Sequence, residues 1–84
     1  MFENGLVVIS TAGRDKDRLL TVVKTDSSYV WVCDGKERPL NNPKRKNFKH
    51  VVPTAVRLSD SQTRSDCALR KALAIISADI EKRR

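Results

Sequence analysis

A chain of 84 residues fits one domain. Folding buries only about 60–65% of the unfolded surface at this size, which leaves little room for a deep catalytic cleft. With 39% hydrophobic residues, a mean hydropathy of -0.46 and no apolar run near the roughly 20 residues that span a bilayer, a soluble protein without a membrane partner is expected. The start, MFENGLVVIST, has neither a basic leading region nor a small-residue cleavage site, so the expected compartment is the cytosol.

Leu6 to Ile9 is an unbroken aliphatic run and predicts a buried strand. Thr11 to Asp17 is polar and contains Gly13, as a loop would be. Arg18 to Thr25 (RLLTVVKT) predicts a second strand. Asp26-Ser27-Ser28 predicts a tight turn, because these side chains satisfy backbone groups locally. Ser28 to Cys33 (SYVWVC) predicts a third strand, and Asp34-Gly35 is the strongest hairpin signal in the chain. A short strand around Lys36 to Leu40 would follow. Asn41-Asn42-Pro43 breaks the pairing, and Asn47 to Val52 would form a fifth strand ending before Pro53.

From about Ser61 the pattern changes. Leu69, Ala72, Leu73, Ile76 and Ile80 recur at helical spacing and form one apolar stripe. Thr63 or Ser65 can cap the start, Asp66 suits the first turn, and Lys82, Arg83 and Arg84 suit the far end of the helix dipole. The expected fold is therefore mostly β with a C-terminal α-helix: four to five short strands in a small, partly open barrel over residues 1–60, with an amphipathic helix over 61–84 packed on it, in one domain.

The charge balance is the informative number. Seventeen Lys+Arg against ten Asp+Glu gives +7, which favours a polyanionic partner. Lys36 to His50 carries six basic residues and one acid, Glu37, which is +5 of that total. A surface made basic for solubility would spread its charge, so this concentration argues for a binding face.

Chemistry-bearing constellations are otherwise sparse. Cys33 and Cys67 form no CxxC pair, and His50, the lone histidine, lies far from both in sequence. No set of about four ligands for zinc is present. The two cysteines are expected to be small buried hydrophobes, one on a strand and one on the helix. No glycine-rich phosphate loop opens a helix, and no serine sits in an elbow motif. No catalytic residue, cofactor, metal or small-molecule substrate is expected.

Gly5 to Asp26 (GLVVISTAGRDKDRLLTVVKTD) resembles the KOW motif, a strand–loop–strand signature of RNA-binding SH3-like barrels. The likeness continues through YVWVCDGKERPLNNPKRKNFKHV, which is similar to the archaeal and eukaryotic large-subunit ribosomal KOW proteins of the fourteen-e type and their small bacterial relatives. STAGRDKD, the DGK turn at Asp34-Gly35-Lys36, and NPKRKNFKH from Asn42 to His50 are its most specific pieces, and it covers about residues 4 to 58. It implies an SH3-like barrel that binds ribosomal RNA without catalysis, associates with the ribosome in the cytoplasm and lies among ribosomal proteins. Asp17 stands where the family usually carries glycine after the loop lysine, and aspartate tolerates the left-handed geometry that position needs.

The expected RNA-binding residues are Arg14, Lys16, Lys36, Arg38, Lys44, Arg45, Lys46, Asn47, Phe48, Lys49 and His50. Lysines and arginines on one loop or edge meet phosphates by counterion release; Arg45 can also stack on a base, and Asn47 and His50 can hydrogen-bond sugar, base edge or phosphate. The alternative for Lys44 to His50 is an edge strand made basic to block sheet pairing. Arg14 and Lys16 serve contact or solvation equally well, given Asp15 and Asp17. Lys36 and Arg38 extend the patch if their strand lies beside Lys44 to His50. Tyr29 and Trp31 share a strand face and are expected beneath the helix stripe rather than as a stacking platform. Phe48 is equally a stacking residue or a barrel plug. The alternative function is an SH3-like protein-interaction module of the translation or transcription machinery, using the Trp31 face and the helix; non-specific DNA binding is a third.

Overall fold

The computed structural model describes residues 2–82. Five strands, β1 (Leu6–Ser10), β2 (Leu19–Thr25), β3 (Tyr29–Cys33), β4 (Lys44–Asn47) and β5 (Val51–Arg57), precede one helix, α1 (Asp66–Lys82). All pairings are antiparallel, in the order β4-β3-β2-β1-β5. Register breaks at Val22/Lys24 and between Leu6 and Val8 add the local twist that lets the sheet curl. The result is a small, partly open SH3-like barrel with β4 and β5 as its free edges.

The apolar runs are continuous because the sheet is covered on both faces. Val8, Leu20, Val22, Val30, Val32 and Val51 fill the barrel interior, closed by Phe2, Leu6 and Phe48. Val7 and Cys33 point the other way and meet Leu58 and the helix residues Leu69, Ala72 and Leu73, with Leu19, Val23, Leu40 and Ile76 at the margin. Alternation along each strand thus sends successive side chains into two different apolar layers. The predicted helix stripe is the one that packs, and the Ser65 hydroxyl accepts the Ala68 N–H at 3.1 Å as the N-cap. Lys82 closes the helix, and Arg83 and Arg84 lie outside the described residues.

Three strand expectations need correction. Lys36 to Leu40 is not a strand. Asp34 Oδ1 instead accepts the backbone N–H groups of Lys36 and Arg38 at 2.9 and 3.0 Å, and Asp66 Oδ1 accepts that of Leu40 at 2.7 Å. The segment is a side-chain-satisfied loop tied to the helix start, as aspartate favours. The fifth strand does not stop at Pro53 but runs from Val51 to Arg57, because β5 is an edge where a missing N–H is tolerated. The preceding residues, Lys44–Asn47, form β4, a strand with no apolar alternation to announce it.

Gly35 is where loop and helix lock together. Its φ is +80°, and a Cβ built there falls 2.3 Å from the Asp66 carbonyl oxygen and 3.1 Å from the Arg70 nitrogen. Strain in the left-handed region adds to a backbone clash that cannot be relieved by rotating a side chain. Gly35→Ala is expected to lose at least about 2 kcal/mol, read as a lower denaturation midpoint in urea at unchanged slope. An unchanged midpoint would mean that the helix does not sit against this loop.

Candidate nucleic-acid interface

The basic run of β4 divides between two faces. Lys44 and Lys46 lie opposite Val32 and Val30, whose side chains fill the barrel interior, whereas Arg45 lies opposite Trp31 on the outer face. The lysines therefore point inward. Lys46 is only 7% exposed and Asp15 only 2%. Lys44 Nζ lies 3.3 Å from Asp15 Oδ2, and Lys46 Nζ lies 3.8 Å from the same oxygen and donates to the Ala12 carbonyl at 3.2 Å.

This cluster pins the β1–β2 loop over the open end of the barrel. The loop contains a 3₁₀ turn at Gly13–Asp15, and Asp17 takes φ +69°, the left-handed geometry expected of it. Arg18 N–H bonds the Asp15 carbonyl at 2.9 Å and Asp17 N–H the Ser10 carbonyl at 2.7 Å. Arg14 and Lys16, flanking Asp15, are exposed. A second 3₁₀ turn, Phe48–His50, lies alongside: Thr11 N–H bonds the His50 carbonyl at 2.9 Å. Lys49 and His50 are exposed there.

One carboxylate faces more than one cation at this end. Burial, then the charges of Lys44 and Arg38, hold Lys46 below the ordinary lysine value against the pull of Asp15. Arg38, half-buried, thus belongs to the same neighbourhood although its strand does not exist. Its Nε is buried and has no hydrogen-bond partner among the described residues. Lys36 is exposed on the same connection, and Arg18 pairs with Glu37 at the surface.

The remaining expected residues have mixed placements. Asn47 is the cap of the second 3₁₀ turn, its side-chain oxygen accepting the Lys49 N–H at 2.9 Å. Phe48 is a barrel plug: it packs on the interior cluster, and its ring centroid lies 4.8 Å from that of Phe2. Neither side chain is presented as a free contact.

Two residues expected in the core stand outside it. Tyr29 and Trp31 are half-buried on the outer face of β3, and what lies over them is not the helix stripe but cations. Lys24 Nζ is 4.9 Å from the Trp31 ring centroid, and Arg45 Cζ is 4.7 Å from that of Tyr29. The helix covers the same sheet face at Cys33 and Val7, further along. The signal was in the strand alternation, but the length of sheet the helix leaves uncovered is not a property of either element alone. The cysteines also split. Cys33 is fully buried and its thiol is pushed up to about 12 by burial, then by Asp66 and Asp34, so it is protonated at neutral pH. Cys67 is exposed rather than buried. Among the described residues, no group of three His, Cys, Asp or Glu is placed to hold a metal ion.

Removing Asp15 strands a buried cation. Asp15→Asn is expected to lose about 3–5 kcal/mol of stability, with Lys46→Met recovering much of it in the double variant. The lowered proton affinity of folded Lys46 sets the sign of a pH effect. Between its lowered value and the ordinary one, the unfolded chain binds more protons than the folded one, so stability rises with pH through that window. Urea midpoints of the native chain should rise relative to those of Lys46→Met as the pH climbs toward the ordinary lysine value; parallel curves would contradict the burial of this amine.

No protein-family model matches the chain, and a search of curated proteins finds no match to it.

Proposed function

We propose that this protein binds RNA, ribosomal RNA foremost, as a non-catalytic component or companion of the large ribosomal subunit. The observation that carries the reading is the convergence of cations on one end of the barrel. Among the described residues, Asp15 is the carboxylate paired with Lys44 and Lys46, with Arg38 within electrostatic reach. Arg14 and Lys16 sit on the loop above, and Lys49 and His50 on the adjoining turn are tied to that loop through Thr11. The net positive field of such an end attracts phosphate, and counterion release supplies affinity without sequence readout. Lys44 and Lys46 hold the loop and contribute field; Arg14, Lys16 and Lys49 make the contacts. The resemblance of STAGRDKD and NPKRKNFKH to ribosomal KOW proteins supports ribosomal RNA as the target, and the SH3-like barrel agrees with it. RNA of this kind is read chiefly through phosphate, 2′-hydroxyl and shape.

A protein-interaction module is the second reading, and it draws on the β5 edge, where Val52 is 50% and Val56 37% exposed. Copurification separates the two: particles released by salt and nuclease support RNA, a stoichiometric protein partner the module.

The direct test is the salt dependence of binding to a folded ribosomal RNA fragment, with duplex DNA as competitor at one fixed salt. Replacing Arg14, Lys16 and Lys49 by Ala together should flatten the log–log slope by about two to three units. These side chains are exposed, so the fold should tolerate the change. An unchanged slope would remove this end of the barrel from the interface.

A further inference from the structure

The outer face of β3 carries an arrangement that the cationic end does not explain. Trp31 and Tyr29 project from it two residues apart, about 6.6 Å along the strand. Trp31 is flanked in register by a cation on each neighbouring strand, Lys24 on β2 and Arg45 on β4. Lys24 lies over the indole and Arg45 over the phenol ring. The pair lies outside the cluster that the helix covers and is only half-buried, and the cations that shield it are themselves exposed.

We infer that Trp31 and Tyr29 form a stacking site for unpaired bases, so that the RNA bound contains a single-stranded or looped segment rather than a continuous duplex. The inference rests on the RNA-binding reading and narrows its ligand. A base laid on the indole displaces the Lys24 ammonium from the ring, and stacking of a base on an aromatic ring outweighs an exposed cation–π contact. The displaced Lys24 and the neighbouring Arg45 then meet the flanking phosphates, where charge complementarity selects a nucleotide over a neutral aromatic ligand. Asp26 faces both cations; its carboxylate is held below the usual range chiefly by the Ser28 and Tyr29 N–H groups it accepts at 2.8 Å. Two cations against this one acid leave the site positive. The turn Phe48–His50 adjoins it, since Phe48 N–H bonds the Ser28 carbonyl at 3.1 Å, so a strand leaving Tyr29 passes directly to Lys49.

Trp31 is the sole tryptophan of the chain, so its emission reports the site without labelling. The intact protein is titrated with an unstructured oligoribonucleotide and, separately, with an RNA duplex of equal phosphate number. The single strand should quench Trp31 emission and the duplex should leave it nearly unchanged. Trp31→Ala should weaken single-strand binding by about tenfold, with duplex binding and the salt slope unaffected, and Trp31→Phe should restore most of the loss. Single-strand binding without quenching, or equal affinity in Trp31→Ala, would overturn the stacking site while leaving RNA binding intact. Failure to bind either RNA would instead overturn the RNA-binding reading on which the site depends.

Discussion

The open end of the barrel depends on one buried carboxylate. Asp15 turns its carboxylate inward from the β1–β2 loop, and Lys44 and Lys46 reach it from the inward face of β4. Either charge alone would be expensive to bury, and together they are tolerated because they pair with one another and Lys46 also donates to the Ala12 carbonyl. The contact fixes three things at once: the height of the loop, the seat of the edge strand, and the direction of the lysine ammonium groups. It also solves an edge problem. A four-residue strand whose inward positions are lysines cannot extend an apolar interior to a neighbouring molecule, so β4 ends the sheet without a further strand to cover it.

This arrangement changes what the basic run means. Read along the sequence, Lys44 to His50 is one block of charge. In the fold, strand alternation sends Lys44 and Lys46 inward and Arg45 outward, and the following turn sends Lys49 and His50 to the surface beside the loop. The same segment closes the sheet edge with its inward lysines and presents Arg45, Lys49 and His50 to the outside. Around Lys46 the charges of Lys44 and Arg38 stand against that of Asp15.

Much of the architecture could be read from the sequence because its signals were local: the aliphatic runs of β1 and β2, the Asp26 turn, the helix stripe with its Ser65 cap. What could not be read depended on partners distant in the chain. KRKN carries no hydrophobic alternation, so β4 was hidden, and the Asp34–Gly35 turn suggested a strand that three aspartate-satisfied amides replace. Pro53 suggested an ending because the edge position of β5 was unknown. Among the expected site residues, Arg14 and Lys16 are exposed on the predicted loop, whereas Lys49 and His50 are exposed on a 3₁₀ turn where the sequence predicts a strand. The places of Phe48, Asn47 and Lys46 could not be read there, because plug, cap and buried ion pair are roles that only the completed barrel defines.

The close seating of Gly35 against the first turn of α1 bears on how the molecule comes apart. The helix has no separate existence as an appendage. Its Asp66 carboxylate organises the β3–β4 connection, its Leu69 shares a layer with Val7 and Cys33, and its backbone leaves no room for a side chain at Gly35. Peeling it away would strip the outer layer from the sheet and free the loop amides simultaneously. Amide protons of the helix and of the central strands should therefore exchange through a common opening, making the two halves one cooperative unit.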